Sequence, residues 1–331
     1  MTQLKEKKLV ASPDDRKIAV VVPCYKVRNH ILGVLQSIPA EVDLVVCVDD
    51  ACPDGSGDFI EQNCQDKRVL VVRHDVNQGV GGAVLTGFEV ALEKAMDVAV
   101  KIDGDGQMDP ALLPLFVKPI LEGRADYTKG NRFWDVKYLR KMPVVRLFGN
   151  AVLGFMSKFS TGYWQSMDPT NGYIALHLKA FRLLQREKIA KRFFFESDLL
   201  FNLCLIRAVV QDIPMKAVYA DEVSNLRVSR IVGPFLKGHL KNFSKRIFYN
   251  YILRDFNVAS FEIILGLLLL CFGIVEGSAF WYRSVAEGIV TTSGQVMLAA
   301  LPILVGIQLL VSAINYDVSN TPKEPVHRYI E

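Results

Sequence analysis

Two aspartates one residue apart, Asp103 and Asp105, stand in the segment Ile102–Gln107 (IDGDGQ), at the end of a short apolar run. Carboxylates with this spacing at a strand end point toward the same face. Such a pair can hold Mg²⁺ or Mn²⁺ while the other coordination positions of the ion take diphosphate oxygens. Gln107 could supply a further oxygen. Pairs of this kind are also common in solvated loops, so the interpretation depends on the rest of the chain.

The chain around this pair alternates strand-like and helix-like segments. Four short apolar runs suit the buried strands of a parallel sheet. These runs are Ile18–Val22, Leu44–Val48, Val69–Arg73 and Val98–Ile102. Helical spacing predicts helices over His30–Ser37, Gly82–Ala95, Val145–Phe159 and Ser197–Arg207. One further stretch, Asn171–Leu176, is predicted to be extended. The pattern predicts an α/β fold with a mostly parallel sheet, which binds ligands at the carboxyl ends of its strands.

The last third of the chain differs in kind. Lys237–Arg254 is basic and aromatic with helical spacing, which is typical of a helix lying along a membrane surface. Two apolar stretches, Phe261–Tyr282 and Val296–Ile314, each approach the roughly 20 residues that span a bilayer. The alternative is a pair of buried core helices, for which little neighbouring surface is available. The positive-inside rule places both basic flanks in the cytoplasm, joined by an outer hairpin.

The predicted domains are a cytoplasmic catalytic domain, an amphipathic juxtamembrane region and a two-helix transmembrane hairpin with a short cytoplasmic tail. They cover residues 1–232, 233–257 and 258–331. Half of the 331 residues are hydrophobic, which agrees with a membrane-bound part. The net charge of +4 does not indicate nucleic acid as a partner. A polar N-terminal segment without an apolar core, and six cysteines without a CxxC pair, predict a cytosol-facing domain with reduced thiols.

Four motifs stand at the ends of the four predicted strands. In order they are VVPCY (Val21–Tyr25), VDDACPDGSGD (Val48–Asp58), NQGVGGAVLTG (Asn77–Gly87) and DGDGQ (Asp103–Gln107). This ordered set resembles the family 2 glycosyltransferases, which have a GT-A fold. Two departures from the family pattern are Lys26-Val27, where the family has Asn-Glu, and Cys52, where it has Ser. The QxxRW motif of processive synthases is absent from the sequence, which argues against polymer elongation.

Further motifs extend the resemblance to polyprenyl and dolichyl phosphate glycosyltransferases, such as dolichol phosphate mannose synthase. They are GNR (Gly130–Arg132), Arg146 with Asn150, DPTNGY (Asp168–Tyr173) and FESDLL (Phe195–Leu200). With the terminal apolar pair, the chain is more similar to the bacterial polyprenyl phosphate enzymes. The resemblance implies a nucleotide-diphosphate sugar as donor, polyprenyl phosphate as acceptor and Mg²⁺ or Mn²⁺ as cofactor. It also implies association into homo-oligomers through the membrane helices.

The resemblance also implies roles for the donor-side residues. Pro23, Tyr25 and Asp50 would hold the nucleotide base, and Asp103, Asp105 and Gln107 would bind the metal and the diphosphate. The loop of Asn77, Gly79 and Gly82 would approach the donor closely, which favours glycine. The plainer alternatives are an ordinary turn for this loop and helix capping for Asp49 and Asp50, a role that we expect Asp49 to have.

On the acceptor side, Arg132 and Arg146 would grip the lipid phosphate, because guanidinium groups bind phosphate bidentately. Asn150 lies one helical turn beyond Arg146 and could donate a hydrogen bond. Arg227 and Lys245, with Arg230, would contact phosphates between the site and the membrane. Surface ion pairs or solvated charge are the alternatives for all of these cations.

The implied reaction is an inverting attack of the lipid phosphate on the anomeric carbon, with the nucleotide diphosphate leaving. The catalytic candidates are Asp105, Arg132 and Asp168, with Glu196 second to Asp168. Because the acceptor phosphate is already ionised, Asp168 could instead orient sugar hydroxyls or simply cap a helix. A UDP-sugar is the favoured donor. Alternatives are a GDP-mannose-dependent dolichol phosphate mannose synthase, a transferase with a non-lipid acceptor, a membrane scaffold without activity, and a channel or flippase.

Overall fold

A computed structural model describes residues 16–134, 144–216 and 228–330 of the chain. The chain divides into two compact units. The first consists of Met1–Asn242 together with Pro322–Glu331, and the second is Phe243–Thr321. The chain therefore leaves the first unit, forms the second and returns to the first.

The first unit is built on a sheet whose seven described strands have the order β3-β2-β1-β4-β6-β5-β7. The strands are β1 (Ile18–Cys24), β2 (Leu44–Asp49), β3 (Val69–Arg73), β4 (Val98–Lys101), β5 (Tyr127–Asn131), β6 (Ile174–His177) and β7 (Val210–Pro214). β1 is parallel to β2 and β4, β2 to β3, and β5 to β7. Only β6 runs antiparallel to its neighbours β4 and β5 in this described sheet. The predicted mostly parallel sheet is confirmed.

Helices connect these strands and cover the sheet. In the first unit they are α1 (Ile31–Gln36), α2 (Ser56–Asn63), α3 (Val80–Glu93), α4 (Leu113–Leu121), α5 (Val144–Thr161), α6 (Leu178–Arg182) and α7 (Phe195–Leu205). Successive residues of β1 enter opposite layers of the core: Ala19 and Val21 join one cluster, Val20 and Val22 the other. Both faces of the sheet are therefore buried, which explains why its first four strands are continuous apolar runs.

One close contact shows how tightly α3 packs on the sheet. A Cβ atom on Gly87 would lie 2.2 Å from Cγ1 of Val21, so the helix and β1 can approach this closely only with glycine at that position. The contact between Gly87 and Val21 fixes the distance between α3 and the sheet. The N-terminal end of α3 is thereby held at the edge where the motif Asn77–Gly87 begins.

The sequence pattern predicted neither β5 nor β7. These strands read YTKGN, which is fully buried, and VQDIP, in which Gln211 and Asp212 are half-buried; both contain polar residues where an apolar run would be expected. Lys129 on β5 lies 3.2 Å from Asp212 on β7, and the Thr128 hydroxyl donates to the carbonyl of Phe116 at 2.8 Å. Because the buried positions are filled by paired polar groups, the apolar periodicity that identifies a strand is missing.

The last described residues, 322–330, belong to the first unit and are anchored at the start of β5. The fully buried Asp126 accepts hydrogen bonds from the backbone N–H groups of Val326 and His327, both at 2.9 Å. Its carboxylate also lies 2.7 Å from Nδ1 of His327. The His327 ring stacks on His177 with centroids 4.1 Å apart. The C-terminal segment is thus an integral part of the sheet unit.

Helix α8 (Val228–Ile247) begins in the first unit and ends in the second, where a π-helical segment, Phe248–Arg254, continues it. Two long helices follow, α9 (Val258–Glu287) and α10 (Ser293–Ser319). Both are long and apolar enough to cross a membrane. They contain the two predicted apolar stretches and extend beyond them at both ends. Asn257 and Thr292 cap their first turns.

Small residues allow α9 and α10 to pack backbone to backbone. A Cβ atom on Gly306 would lie 2.8 Å from the carbonyl oxygen of Gly266, and one on Gly266 would lie 3.0 Å from that of Gly306. At one end of the pair, the buried Arg246 guanidinium donates to both carboxylate oxygens of Asp317, at 2.6 and 3.0 Å. Backbone approach at glycines is typical of helices packed in lipid, where apolar burial alone gives little drive to associate.

Candidate active site

The polar motifs meet at one edge of the sheet. β1 to β4 are parallel, so the residues that follow them lie at the same edge. The register that pairs Lys101 with Ile174 places the start of β6 there too, and with it the preceding segment Asp168–Tyr173. β5, antiparallel to β6, ends at this edge with Asn131, which Arg132 follows. The edge therefore gathers acids from the first half of the chain and an arginine from the middle.

Asp49 and Asp50 at the end of β2 both organise backbone. Asp49 accepts from the N–H groups of Cys52 at 2.7 Å and Gly57 at 2.6 Å, so it caps the start of α2 as predicted. Asp50 is buried and accepts from the N–H groups of Gln78 and Gly79, both at 2.8 Å. The carboxylate of Asp50 thus fixes the backbone of the loop after β3 by hydrogen bonds.

The loop after β3 is fixed from several sides. The Asn77 amide donates to the backbone carbonyl of Asp50 at 3.0 Å. Gly79 has a φ of 88°, and a Cβ there would lie 2.7 Å from the carbonyl oxygen of Lys191, so the position requires glycine. Gly82 donates its N–H to that same oxygen at 3.1 Å. The structure thus brings Asn77, Gly79 and Gly82 together with Asp50 in one tight turn.

Pro23 is the penultimate residue of β1, and Tyr25, which directly follows the strand, is exposed. The two departures from the family pattern contact each other: the N–H of Lys26 donates to Sγ of Cys52 at 3.1 Å. Lys26 has a φ of 60°, so this contact holds it in the left-handed region. The residues that replace the family's Asn and Ser, Lys26 and Cys52, thus form a contact between the first and second motifs.

Asp103 and Asp105, which follow β4, are half-buried, and the positive charge of Lys101 partly balances their negative charge. The Lys101 ammonium, itself buried, lies 2.8 Å from Oδ1 of Asp103 and 3.8 Å from the Glu196 carboxylate. Burial raises the pKa of Glu196, and the Lys101 charge only partly offsets this effect. Asp105 accepts from the backbone N–H of Gln107 at 2.9 Å, which tightens the loop. The sequence did not single out Lys101, because it lies within an otherwise apolar strand.

The donor set of this acid pair fits a divalent ion that is shared with a phosphate ligand. No cluster of three His, Cys, Asp or Glu side chains that could hold a metal occurs in the part of the chain that the structure describes. Asp103 and Asp105 alone offer two carboxylates, so an ion bound there would need further ligands from a substrate or solvent. Mg²⁺ is commonly bound through one or two carboxylates together with substrate phosphates, so the residues present suit such an ion.

Arg132 is held by Asp168. Nε and Nη2 of Arg132 each donate to a different oxygen of the Asp168 carboxylate at 2.7 Å, and the Arg132 N–H donates to Oδ2 at 3.1 Å. Asn171 donates to Oδ2 as well, at 3.1 Å. Burial opposes the charge of Asp168, but the hydrogen bonds and charge of Arg132 outweigh it and lower the pKa of this carboxyl. Asp168 is thus an ionised partner of Arg132.

A second buried pair, missed by the sequence reasoning, lies behind Asp168. The Lys129 side chain is 1% exposed and pairs with Asp212 at 3.2 Å. Lys129 lies on β5, three residues before Arg132, which follows that strand, and Asp212 lies opposite Lys129 on β7. The signal that could have indicated the pair is a lysine and an aspartate inside segments flanked by apolar residues.

The remaining acceptor-side predictions are only partly described. Asn150 is half-buried on α5, whereas the side chain of Arg146 lies outside the described residues, as do Arg227 and the side chain of Arg230. Lys245 is exposed on the part of α8 that belongs to the second unit. Among the acceptor-side residues, the structure therefore shows a contact between Arg132 and Asp168. The roles of Arg146, Asn150, Arg227 and Lys245 stay predictions.

The strand order and the anionic, arginine-bearing edge are those of a GT-A-like α/β protein. Residues 19–184, half of the chain, match the family described as Glycosyl transferase family 2. The chain belongs to this family and is a glycosyltransferase.

Among its relatives is the UDP-N-acetylglucosamine–dolichyl-phosphate N-acetylglucosaminyltransferase of Methanococcus voltae, 27% identical over 62% of this chain and 88% of the relative. Another is the undecaprenyl-phosphate mannosyltransferase of Micrococcus luteus, 27% identical over 66% of this chain and 90% of that protein.

A solved structure with a similar fold is glucosyl-3-phosphoglycerate synthase from Mycobacterium tuberculosis, crystallised with Mn²⁺, UDP-glucose and phosphoglyceric acid. It has a TM-score of 0.51 at 17% identity, over 70% of this chain and 80% of that one. At this identity the likeness establishes the fold, and it confirms the GT-A-like architecture predicted from the motifs.

Proposed function

We propose that this protein transfers a hexose from a nucleotide-diphosphate sugar, with UDP favoured, to polyprenyl phosphate, in a metal-dependent reaction that inverts the anomeric carbon. The observation that carries the proposal is the meeting of two groups at one sheet edge. These are the Asp103–Asp105 pair after β4 and the Arg132 guanidinium after β5. The relatives named as dolichyl- and undecaprenyl-phosphate transferases support a lipid phosphate as acceptor.

The donor would bind across the ends of β1 to β4. Tyr25 is exposed at the end of β1, where its ring is available to a nucleotide base. The Gly79 turn would lie beside the donor, and its glycine lets the chain pass close to the Lys191 carbonyl. Asp103 and Asp105, with Gln107, would hold Mg²⁺ or Mn²⁺, which when bound stabilises the charge on the departing diphosphate. Asp50 acts in this scheme mainly by shaping the turn, since its oxygens already accept two backbone N–H groups.

The acceptor would bind at Arg132, with Arg146, Asn150, Arg227 and Lys245 as further contacts. A guanidinium offers several fixed donors, so Arg132 can present N–H groups to a phosphate while Asp168 holds its orientation. A phosphate monoester is largely ionised at neutral pH, so its oxygen needs no strong base to attack the anomeric carbon. Positioning and charge stabilisation then supply most of the rate enhancement.

The apolar parts of the molecule support a lipid acceptor. Helix α5, which carries Arg146 and Asn150, exposes Phe148, Val152 and Phe155 on one face. Exposed aromatic and branched side chains at this spacing are typical of a helix that lies in a membrane interface. We place α9 and α10 across the membrane as a hairpin, with the catalytic unit and both termini in the cytoplasm and with the hairpins associated into oligomers. Residues 1–232 then form the catalytic domain, 233–257 the juxtamembrane region and 258–331 the hairpin and tail.

A second candidate is the transfer of mannose from GDP-mannose to dolichyl phosphate. It is favoured by the relatives named as mannosyltransferases, including the dolichol-phosphate mannosyltransferase of Pyrococcus furiosus. Both candidates use the same edge of the sheet and differ in the base and the sugar that the donor carries.

The acid pair is tested with two matched variants in one loop. Asp105→Asn removes a proposed metal ligand, and Asp109→Asn makes the same change four residues later, where the side chain accepts from the Ala111 N–H. We expect Asp105→Asn to lower metal-dependent transfer to polyprenyl phosphate by at least about a hundredfold, as for loss of a group that stabilises transition-state charge. Asp109→Asn should retain most activity. Equal activity in the two variants would remove Asp105 from the metal site.

A further inference from the structure

Lys129 is a buried cation whose hydrogen bonds converge on one loop. Its ammonium donates to the backbone carbonyls of Met167 and Asp168, the latter at 3.1 Å. Burial lowers the pKa of Lys129, and the Asp212 carboxylate only partly opposes this effect. The side chain is 1% exposed, so it cannot reach a substrate itself. Its function must therefore be exerted through the loop that it contacts.

Asp212 holds the same loop from the other side. Its carboxylate accepts from the Met167 N–H at 2.7 Å and from the Ser166 hydroxyl at 3.1 Å, besides pairing with Lys129. The pair thus occupies donors and acceptors of three consecutive residues, Ser166 to Asp168. Because the N–H of Met167 and the carbonyls of Met167 and Asp168 are all bound, the backbone of this loop has little freedom to rotate.

The residue that this loop presents is Asp168, and its backbone is strained. Asp168 has a φ of 52°, in the left-handed region that non-glycine residues seldom adopt. Such a conformation persists only where the surroundings enforce it. The geometry of Asp168 matters because its two oxygens align the Arg132 guanidinium at 2.7 Å each.

We propose that Lys129 and Asp212 are positioning residues of the acceptor site: they hold the Ser166–Asp168 loop so that Asp168 aims Arg132 at the acceptor phosphate. This inference rests on the proposed function. A purely stabilising role explains the pair less well, because apolar residues of similar volume often stabilise a core as well as a buried ion pair does. The charged groups of Lys129 and Asp212 instead hydrogen-bond to the polar groups of the Ser166–Asp168 loop.

The test uses full-length protein in detergent with polyprenyl phosphate and the nucleotide sugar that supports turnover. The variants are Lys129→Met, Asp212→Asn and their combination. Asp126→Asn is the matched control, since Asp126 is a fully buried acid at the opposite end of β5 whose partners are the C-terminal segment and Val209. KM for acceptor, KM for donor, kcat and the melting temperature are measured for each.

We expect both single variants to raise the acceptor KM at least about tenfold while the donor KM changes less than about threefold, a split that loss of stability alone would not give. In the combined variant, no buried charge is left unpaired, so the melting temperature should recover toward that of the wild type. The acceptor KM should remain raised, because the loop carbonyls have still lost Lys129. Asp126→Asn should lower the melting temperature without this split. An acceptor KM that recovers together with the melting temperature would overturn the proposal.

A second readout keeps the inference separate from the proposed function. The rate at which phenylglyoxal modifies Arg132, followed by mass spectrometry, reports how firmly Asp168 holds the guanidinium and needs no substrate. We expect several-fold faster modification in Lys129→Met and Asp212→Asn and no change in Asp126→Asn. If the wild type transfers no sugar to polyprenyl phosphate, the proposed function fails, and Arg132 reactivity still decides on positioning. Unchanged reactivity in both variants would overturn the positioning role whatever the activity.

Discussion

Asp50 and Asp168 are buried and accept hydrogen bonds from loops of the protein, whereas Asp103 and Asp105 are half-buried at the end of β4. Asp50 and Asp168 thus shape the site, and we propose that Asp103 and Asp105 hold the metal and the diphosphate. Asp168 was one candidate for a catalytic carboxylate near the sugar. Its bidentate contact with Arg132 favours a role in holding that side chain for the acceptor.

Replacing Asp168 by Asn tests this role. The amide keeps the size of the side chain but leaves the Arg132 guanidinium without a charged partner. A hydrogen bond to a charged group contributes about 1.5–3 kcal/mol, so we expect the acceptor KM to rise at least about tenfold. The donor KM should stay within about threefold of the wild-type value. A fall in kcat with both KM values unchanged would contradict the positioning role and restore Asp168 as a group that acts on the sugar.

Sequence reasoning located the site residues that belong to motifs and missed those that support them. Asp103, Arg132 and Asp168 were singled out because their motifs occur in a fixed order. Lys101 and Lys129 were not, because a single lysine within a strand has no pattern, and its meaning comes from a partner far along the chain. The strained backbone of Asp168 likewise depends on contacts with β5 and β7 that no local window contains.

At the scale of elements, apolar periodicity located β1 to β4 and both long helices to within a few residues. It failed for β5 and β7, on which the buried Lys129 and the half-buried Asp212 form an ion pair. It also gave no indication that residues 322–330 pack on the sheet unit. They are anchored by hydrogen bonds to Asp126, which precedes His327 by 201 residues in the chain.

This docked segment predicts acid sensitivity of the sheet unit. Burial, with the nearby His327, Arg16 and Lys179, lowers the pKa of His177 from 6.5 to about 3, while Asp126 opposes the effect. Between these two pH values, the unfolded chain binds a proton that the folded chain does not. The free energy of unfolding should therefore fall as the pH drops from about 6.5 toward 3, by at most about 1.4 kcal/mol per pH unit for this proton.

The measurement is denaturant unfolding of the full chain at several pH values, compared with His177→Asn. Asparagine can keep an acceptor for the Lys179 N–H, which His177 Nδ1 accepts at 3.1 Å, but it does not titrate. In the variant, the free energy of unfolding should change less steeply with pH, by an amount that corresponds to at most one proton. Some dependence should remain, since burial also lowers the pKa of His239, to about 4. Identical slopes in wild type and variant would contradict the assignment.

At the scale of the whole molecule, the chain enters the second unit after Asn242 and returns to the first unit at Pro322. If both α9 and α10 cross the membrane, the catalytic unit and residues 322–330 must lie on the same side. The connection between the two helices then lies on the opposite side. The basic flanks predicted a cytoplasmic location for the shared side.

Single cysteines introduced into a cysteine-free background test this topology. Val290, in the connection, is 86% exposed, and Lys323 is exposed in the C-terminal segment. We expect Val290→Cys to react with an impermeant maleimide on intact cells and Lys323→Cys to react only after permeabilisation. Labelling of both positions from the same side would show that the two helices do not form a membrane-crossing hairpin.

We propose that this family 2 glycosyltransferase uses a lipid phosphate as its acceptor. This proposal is tested most directly by incubating the purified full-length protein with radiolabelled nucleotide sugars and polyprenyl phosphate, with and without Mn²⁺ and a chelator. We predict labelled lipid from one donor, formed only with the divalent ion and released as free sugar by mild acid. Sugar transfer to a water-soluble or protein acceptor, with no labelled lipid from any donor, would contradict the account.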